Sequence, residues 1–289
     1  MSQINVDIVN PQSTNTVDVN GAKIKEAGLS VYIGDIDKAA LPTESVLIGS
    51  GAANNLSSGI GNTVIGSRAM YSPVSSSGNV CVGTTCGYSL SVGGGNTLVG
   101  NSSGYGITVG SGNTCIGNGA GGSITGGANN TFLGANTGGS YVTFIGSDNI
   151  CIGTGSNPAT SSANNSITLG GPFINVLRCA VTTITSLSDE RDKKDIKDLS
   201  TGLEFVEALR PVEFVWNDRN ENGKHDVADF GFIAQDLKKA QEDAEKSEVL
   251  KLVYDENPDK LEASYGKLIP ILVKAIQELS EEVKQLKSK

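Results

Sequence analysis

Large aromatic side chains are scarce in this chain, which has 289 residues but only 7 Phe, 7 Tyr and 1 Trp. Its 37 glycines add backbone freedom, so a single conventional globular core is not expected. Long hydrophobic runs are also missing, because no stretch approaches the roughly 20 apolar residues that a membrane-spanning helix needs. We therefore expect no membrane insertion.

Charge is nearly absent from the middle of the chain, where Arg68 and Asp148 are the only charged residues between positions 49 and 177. Residues 1–187 hold 5 Lys and Arg and 7 Asp and Glu, whereas residues 188–289 hold 17 and 24. The first part has no basic stripe to neutralise phosphates, and the second part is acidic. Nucleic acid is therefore not an expected partner, and a domain border is predicted where the composition changes.

The cysteines are odd in number, and none stands in a Cys-x-x-Cys or Cys/His spacing that binds metal. We expect free thiols that pack as small apolar residues, with no metal and no cofactor. Residues 1–7 lack the cationic start and apolar run of a secretory signal, so assembly in a reducing cytoplasm is expected. The five cysteines are Cys81, Cys86, Cys115, Cys151 and Cys179.

A short motif of the form Asn-x-apolar-apolar-Gly recurs every 17 residues through the middle of the chain. Its apolar run of three or four residues, bounded by Asn and Gly, predicts a short strand that ends in a turn. Less regular copies follow at 142–146, 149–153 and 165–170, and an earlier one lies at 30–34. The regular units begin at Ser45, Asn62, Asn79, Asn96, Asn113 and Asn130.

Each predicted strand carries apolar residues on both faces, because neighbours such as Leu98 and Val99 point in opposite directions. One face can fill the inside of a narrow coil, and the other needs a cover from outside the coil. Identical chains around a shared axis would supply that cover, so a homo-oligomer is expected.

Two further columns are expected in the coils. Small residues, mostly followed by Gly, fit a tight corner, and the Asn residues can stack as a ladder of turn-closing amides. We expect no site of its own in this region, which lacks both the paired carboxylates of a glycosidase and an aromatic strip for sugars. The small residues are Ala69, Cys86, Ser103, Ala120 and Thr137.

Through these units, the body at 45–172 resembles the head repeats of YadA-like trimeric adhesins and the β-roll shafts of phage tail fibres. The resemblance implies a mostly β fold, a trimeric parallel β-solenoid. Residues 173–187 alternate and are rich in β-branched residues, which predicts a β stem. Residues 1–44 include a predicted hairpin at 17–21 and are the candidate virion-attachment region.

The residues after the stem have the composition of a small α+β domain. A helix is predicted over 199–209, ended by Pro211, with strands at 212–216 and 230–234. The final helix, 267–287, has a coiled-coil seam. If the helix acted alone, this seam would favour a two-stranded coiled coil; alternatively, the seam would pack on the body of its own domain. That seam comprises Ile269, Leu272, Ile276, Leu279, Val283 and Leu286.

Residues 188–289 are similar to the self-cleaving C-terminal intramolecular chaperone of phage endosialidases, tail fibres and tailspikes. The motifs are SDERDKKDI at 188–196, LRPVEF at 209–214 and GFIAQ at 231–235, followed by the terminal helix. The resemblance implies a domain that trimerises, aligns three fibre chains and then cuts itself off. It also implies that Ser188 is the nucleophile, that Lys193 is the general base and that the bond cut is Leu187–Ser188.

The chemistry of this dyad has its own requirement. A lysine can take a proton from serine only when burial or nearby cations lower its pKa, and such dyads occur on unrelated folds. The other charged side chains of 188–196 are expected to form surface or inter-subunit ion pairs. Gln235 is a weaker candidate for the site, and His225 is expected to be solvated in a polar turn.

The combined prediction is a homotrimeric tail fibre or tailspike subunit of a phage virion, assembled in the host cytoplasm. It would join other tail proteins through its N-terminus and bind a host receptor or glycan. Near-identical repeats can pair one coil out of register, and a terminal trimerising domain would prevent this. Its removal would then slow unfolding.

Three alternatives compete with this prediction. A fibre could carry a trimerisation domain that does not cleave. A bacterial trimeric adhesin should have a signal peptide and a membrane anchor. A polysaccharide-degrading tailspike should show clustered Asp and Glu, unless its site is shared between chains.

Overall fold

The computed structural model describes residues 45–139, 141–174, 176–180, 185–186, 188–217 and 226–289, and the backbone of three earlier strands. The chain forms two compact units, 1–174 and 175–289. The strands of the first unit are β1 (Thr16–Val19), β2 (Ala22–Lys25), β3 (Ser30–Ile33), β4 (Val46–Ile48), β5 (Thr63–Ile65), β6 (Val80–Val82), β7 (Thr97–Val99), β8 (Thr114–Ile116), β9 (Thr131–Leu133), β10 (Ile150–Ile152) and β11 (Ile167–Leu169).

These strands form one sheet in chain order, and every pair from β3 to β11 is parallel. Successive strands from β4 to β9 pair at an offset of 17 residues, as Val64 does with Cys81. The parallel β-solenoid is therefore confirmed. The next offset is 19, from Phe132 to Cys151, because the coil between them holds two extra residues. The predicted N-terminal hairpin is also confirmed, since β1 and β2 pair antiparallel.

The inside of the solenoid is filled by the middle residue of each strand, which is inaccessible to solvent from β4 to β10. In the longer coil, the Phe132 and Phe144 rings pack edge to face with 5.8 Å between centroids. The small residues predicted at the corner are buried too. The glycines that follow them adopt φ of 57 to 66°, and a Cβ at Gly104 would lie 2.8 Å from the Leu98 side chain.

The predicted asparagine ladder is present and is buried inside the coils. Asn96 Nδ2 donates to Asn79 Oδ1 at 3.0 Å and to the Gly110 carbonyl at 3.0 Å. Its Oδ1 accepts from the backbone N–H of Asn113 at 3.0 Å and from Asn113 Nδ2 at 3.1 Å. Because one amide serves three coils, the ladder joins the stacked coils along the solenoid. Its rungs are Asn62, Asn79, Asn96, Asn113, Asn130 and Asn149.

The last residue of each solenoid strand faces outwards and forms what we call the outer column. Its members are half-buried in the early coils and become more exposed along the chain, reaching 57% at Leu169. The alternation of faces is as predicted, and the described residues leave the later members of this column exposed. The outer column comprises Ile48, Ile65, Val82, Val99, Ile116, Leu133, Ile152 and Leu169.

Three tyrosines form a second surface feature, which we call the tyrosine column. The rings of Tyr71 and Tyr88 stack with centroids 5.3 Å apart, and those of Tyr88 and Tyr105 stack at 5.1 Å. The expectation that the repeats lack an aromatic strip is therefore wrong. The residues are spaced by 17, so stacking of the coils brings them into line.

The second unit has an α+β fold, as predicted, with a core that includes Phe205, Leu237 and Leu252. The first helix is shorter than the predicted 199–209, and the run at 230–234 divides between a strand and a helix. The described residues of 173–187, predicted as a β stem, contain no strand. The elements are α1 (Leu203–Glu207), β12 (Val212–Val215), β13 (Ala228–Gly231), α2 (Ala234–Asp243), α3 (Ser247–Leu250), β14 (Val253–Tyr254), β15 (Glu262–Ala263) and α4 (Leu268–Lys287).

Helix α4 uses one stripe to pack on its own unit and leaves another stripe in solvent. The packed stripe is Leu268, Ile271 and Ala275, all buried. The predicted seam is a different stripe, and its members are exposed, with Ile276 at 66% and Leu286 at 69%. The seam therefore does not pack on the body of its own domain.

The start of α1 is fixed by a carboxylate from α4. Glu278 Oε2 accepts a hydrogen bond from the backbone N–H of Leu203 at 2.7 Å. Gly202 leaves room for this contact, because a Cβ there would lie 2.1 Å from that oxygen. The backbone N–H of Leu203, and secondarily Lys274, hold the pKa of Glu278 below its ordinary value.

This contact predicts a pH-dependent stability. Because the folded pKa is lowered, the stabilisation is present above the unfolded pKa of about 4.3 and is lost as the pH falls through the folded value. We expect Glu278→Gln to melt at a lower temperature than the parent at pH 7, with the difference shrinking as the pH falls below about 4.3. Glu281→Gln, which removes a more exposed carboxylate of α4, is the control. Equal melting temperatures of parent and Glu278→Gln at pH 7 would contradict this.

Candidate functional site

Ser188 and Lys193 are brought together by a single tight turn. Asp189 caps a 3-10 turn at 190–192 by accepting from the backbone N–H of Arg191, and the Lys193 N–H donates to the Glu190 carbonyl at 3.0 Å. The chain therefore reverses within five residues. Lys193 Nζ lies 2.6 Å from Ser188 Oγ and 3.1 Å from the Ser188 carbonyl oxygen.

The charged neighbours of this pair interact with each other. Arg191 donates from Nε to Asp189 Oδ1 at 2.9 Å, and its hydrogen bonds hold the pKa of Asp189 below the ordinary value. Asp189 therefore bonds to Arg191 and to the turn, and Lys193 bonds to Ser188. Gln235 is exposed in the first turn of α2, and Leu187 and His225 lie outside the described residues.

Both members of the pair are exposed to solvent in the single chain. Lys193 Nζ donates to Ser188 Oγ in this contact, and an amine at the same distance that had lost its proton could accept the hydroxyl proton. The arrangement therefore places a serine and a lysine in direct contact, and the described part of one chain leaves both exposed.

Other chemistry is limited in the described part of the chain. No group of three or more His, Cys, Asp or Glu is placed to hold a metal ion among the residues described. Within the same residues, no helix has the length and apolarity to cross a membrane. Four cysteines are buried free thiols, and burial raises the pKa of Cys115. These thiols pack inside the coils.

Sequence reasoning missed the tyrosine column as a surface feature. The spacing of Tyr71, Tyr88 and Tyr105 equals the repeat length and could have revealed it. The scarcity of aromatic residues in the whole chain concealed their clustering in three adjacent coils.

Comparison with known proteins identifies one part of the chain. Residues 188–246 match a family model described as chaperone of endosialidase. No curated protein and no solved structure matches the chain. The matched segment begins at the serine of the dyad and follows the β-solenoid. The chain thus combines a β-solenoid body with a segment that matches the chaperone-of-endosialidase model, an arrangement consistent with a phage tail fibre that carries a C-terminal chaperone.

Proposed function

We propose that the chain is a subunit of a homotrimeric phage fibre whose C-terminal domain aligns three chains and then cuts the Leu187–Ser188 bond. The observation that carries the proposal is the 2.6 Å contact of Lys193 Nζ with Ser188 Oγ at the start of the matched segment. A serine and lysine in contact at the first residues of the matched segment suit a self-processing reaction.

The outer column supports trimerisation of the body. Its aliphatic side chains recur once per coil and include Ile116, Leu133 and Ile152, each at least 40% exposed. A continuous exposed apolar stripe on a solenoid marks an interaction surface. Second and third copies would place the same stripe against it around a common axis.

Helix α4 supports trimerisation of the C-terminal domain. The exposed seam follows the alternating three-and-four spacing of a coiled coil, and the buried stripe of Leu268, Ile271 and Ala275 leaves it free. A helix that packs on its own domain and also presents a seam can join identical domains. Such a junction would fix the register in which the repeats of the three chains begin to pair.

The cleavage would proceed by an acyl shift followed by hydrolysis. Ser188 Oγ attacks the Leu187 carbonyl carbon while Lys193 Nζ accepts the hydroxyl proton. The Leu187–Ser188 C–N bond then breaks, with the proton passing to the Ser188 nitrogen, and leaves Leu187 as an ester on Ser188 Oγ. Water hydrolyses the ester to a Leu187 carboxylate and restores the serine hydroxyl.

Exposure of the dyad in one chain supports coupling of cleavage to assembly. A neutral lysine requires burial or neighbouring cations, and neighbouring chains in a trimer would supply them. A reaction switched on by assembly would leave incorrectly paired chains uncut. Removal of the chaperone would then make correctly assembled fibres slow to unfold.

The other two parts of the proposed fibre, the N-terminal region and the solenoid body, have separate roles. Residues 1–44 would join the fibre to other virion proteins, and the solenoid body would contact a host receptor. The protein would thus be a component of the virion tail, assembled in the host cytoplasm.

Replacing Ile276 with Glu tests the proposed seam. Loss of an Ile that the trimer would bury should weaken assembly by about 2 kcal/mol per chain, in addition to the repulsion between three introduced charges. We expect light scattering to find monomers or aggregates, and the body to become sensitive to protease.

Gln277→Glu adds the same charge at the next, exposed residue of α4 and should remain trimeric. A trimer of normal yield in the Ile276→Glu protein would contradict the proposed seam.

A further inference from the structure

The tyrosine column lies outside both the dyad and the outer column. Its rings are parallel within 8° and belong to three successive coils. The backbone of each coil is fixed to the next, as in the hydrogen bond from the Ser89 N–H to the Tyr105 carbonyl at 3.1 Å. The rings are therefore held on a rigid scaffold.

The last ring of the column has an open face. Tyr88 stacks on one side of Tyr105, and the next coil has Gly122 at the equivalent position. The three atoms nearest to a Cβ built at Gly122 belong to Gly119 and Ser102, and none belongs to Tyr105. The side chain of Tyr105 is 42% exposed. An aromatic face thus points along the solenoid without a neighbouring ring.

A row of small polar side chains accompanies the tyrosines, which we call the polar ledge. Ser102 precedes Tyr105 in the same turn, and its backbone carbonyl accepts from the Tyr105 N–H at 3.3 Å. Its Oγ lies 3.0 Å from Thr85 Oγ1 and 3.1 Å from Asn101 Oδ1. Asn118 Nδ2 donates to Asn101 Oδ1 at 3.4 Å. The ledge offers hydroxyl and amide groups and no charge.

We propose that the open face of Tyr105 and the polar ledge bind a carbohydrate. The apolar C–H face of a sugar ring matches an aromatic face, and its hydroxyls match the ledge. The nearest cation of the body, Arg68, lies two coils before Ser102. Because no cation of the body is closer to pair with an acidic sugar, we expect the sugar ring that stacks on Tyr105 to be uncharged. This inference rests on the proposed fibre function and assigns the host contact to one corner of the solenoid.

Affinity electrophoresis of the full chain in gels that contain dextran, galactomannan, arabinoxylan or yeast mannan tests the assignment. At least one of these neutral polysaccharides should retard the parent. Titration calorimetry with that polysaccharide should find about tenfold weaker binding for Tyr105→Ala. Tyr105→Phe, which keeps the aromatic face, should bind within about twofold of the parent.

Val109→Ala removes an exposed apolar side chain of the same coil and is the matched control, with binding unchanged. The assignment is overturned if no gel retards the parent, or if Tyr105→Ala binds as the parent does. Molar mass and chain length are measured on the same samples. A trimeric, cleaved protein that binds none of the polysaccharides would overturn the sugar site and leave the fibre proposal standing.

Discussion

Ser188→Ala should keep the chain whole, whereas the parent should separate under denaturing conditions into fragments of residues 1–187 and 188–289. Alanine removes the only atom that the proposed reaction uses as nucleophile, and the contact of 2.6 Å with Lys193 Nζ is lost with it. Loss of a nucleophile commonly lowers such rates by factors of about 10⁴ to 10⁶. Mass spectrometry of the denatured protein distinguishes the two outcomes.

The two adjacent lysines provide a matched control. Lys193→Ala should block cleavage as Ser188→Ala does, because no base remains on the hydroxyl. Lys194→Ala removes another exposed cation one residue later and should be cut normally. Fragments from the Ser188→Ala protein would rule out this nucleophile. If the parent chain stays intact and still assembles, the C-terminal domain is a trimerisation domain that does not cleave.

Asn96→Ala should destabilise the solenoid by about 4 kcal/mol. The change removes the acceptor of the buried Asn113 N–H and the side-chain donor to the Gly110 carbonyl. Each buried polar group left without a partner costs about 1 to 3 kcal/mol. Because the ladder is continuous, the damage should extend to neighbouring coils. Denaturant unfolding followed by circular dichroism of the β signal measures the loss.

Asn101→Ala is the control for this experiment. Asn101 lies in the same coil, and its side chain is exposed and bonds to other exposed polar groups. We expect a change within about 0.5 kcal/mol. Similar destabilisation by the two variants would show that the buried ladder contributes no more than surface polar contacts.

The sequence alone predicts the solenoid because each coil repeats the same local chemistry. The strand ends at a Gly, the Asn column closes the turns, and alternation separates the inner and outer columns. All of these depend on residues near in sequence or separated by one repeat.

Features that depend on contacts distant in sequence could not be predicted. Helix α1 begins four residues later than the apolar spacing suggests, because Gly202 takes a non-helical conformation and Glu278, from α4, accepts from Leu203. Helices α2 and α3 and strands β14 and β15 were not identified either. Their apolar residues meet in a core, at Leu237 and Leu252 for example, rather than forming a local repeat.

The association of identical chains is the claim on which the remaining proposals rest. The molar mass of Ser188→Ala in dilute solution, measured by sedimentation equilibrium, tests it directly, because this variant keeps both units on one chain. We predict a particle of three chains of 29.8 kDa each. A folded single chain of 29.8 kDa, with its outer column and α4 seam in water, would contradict the account.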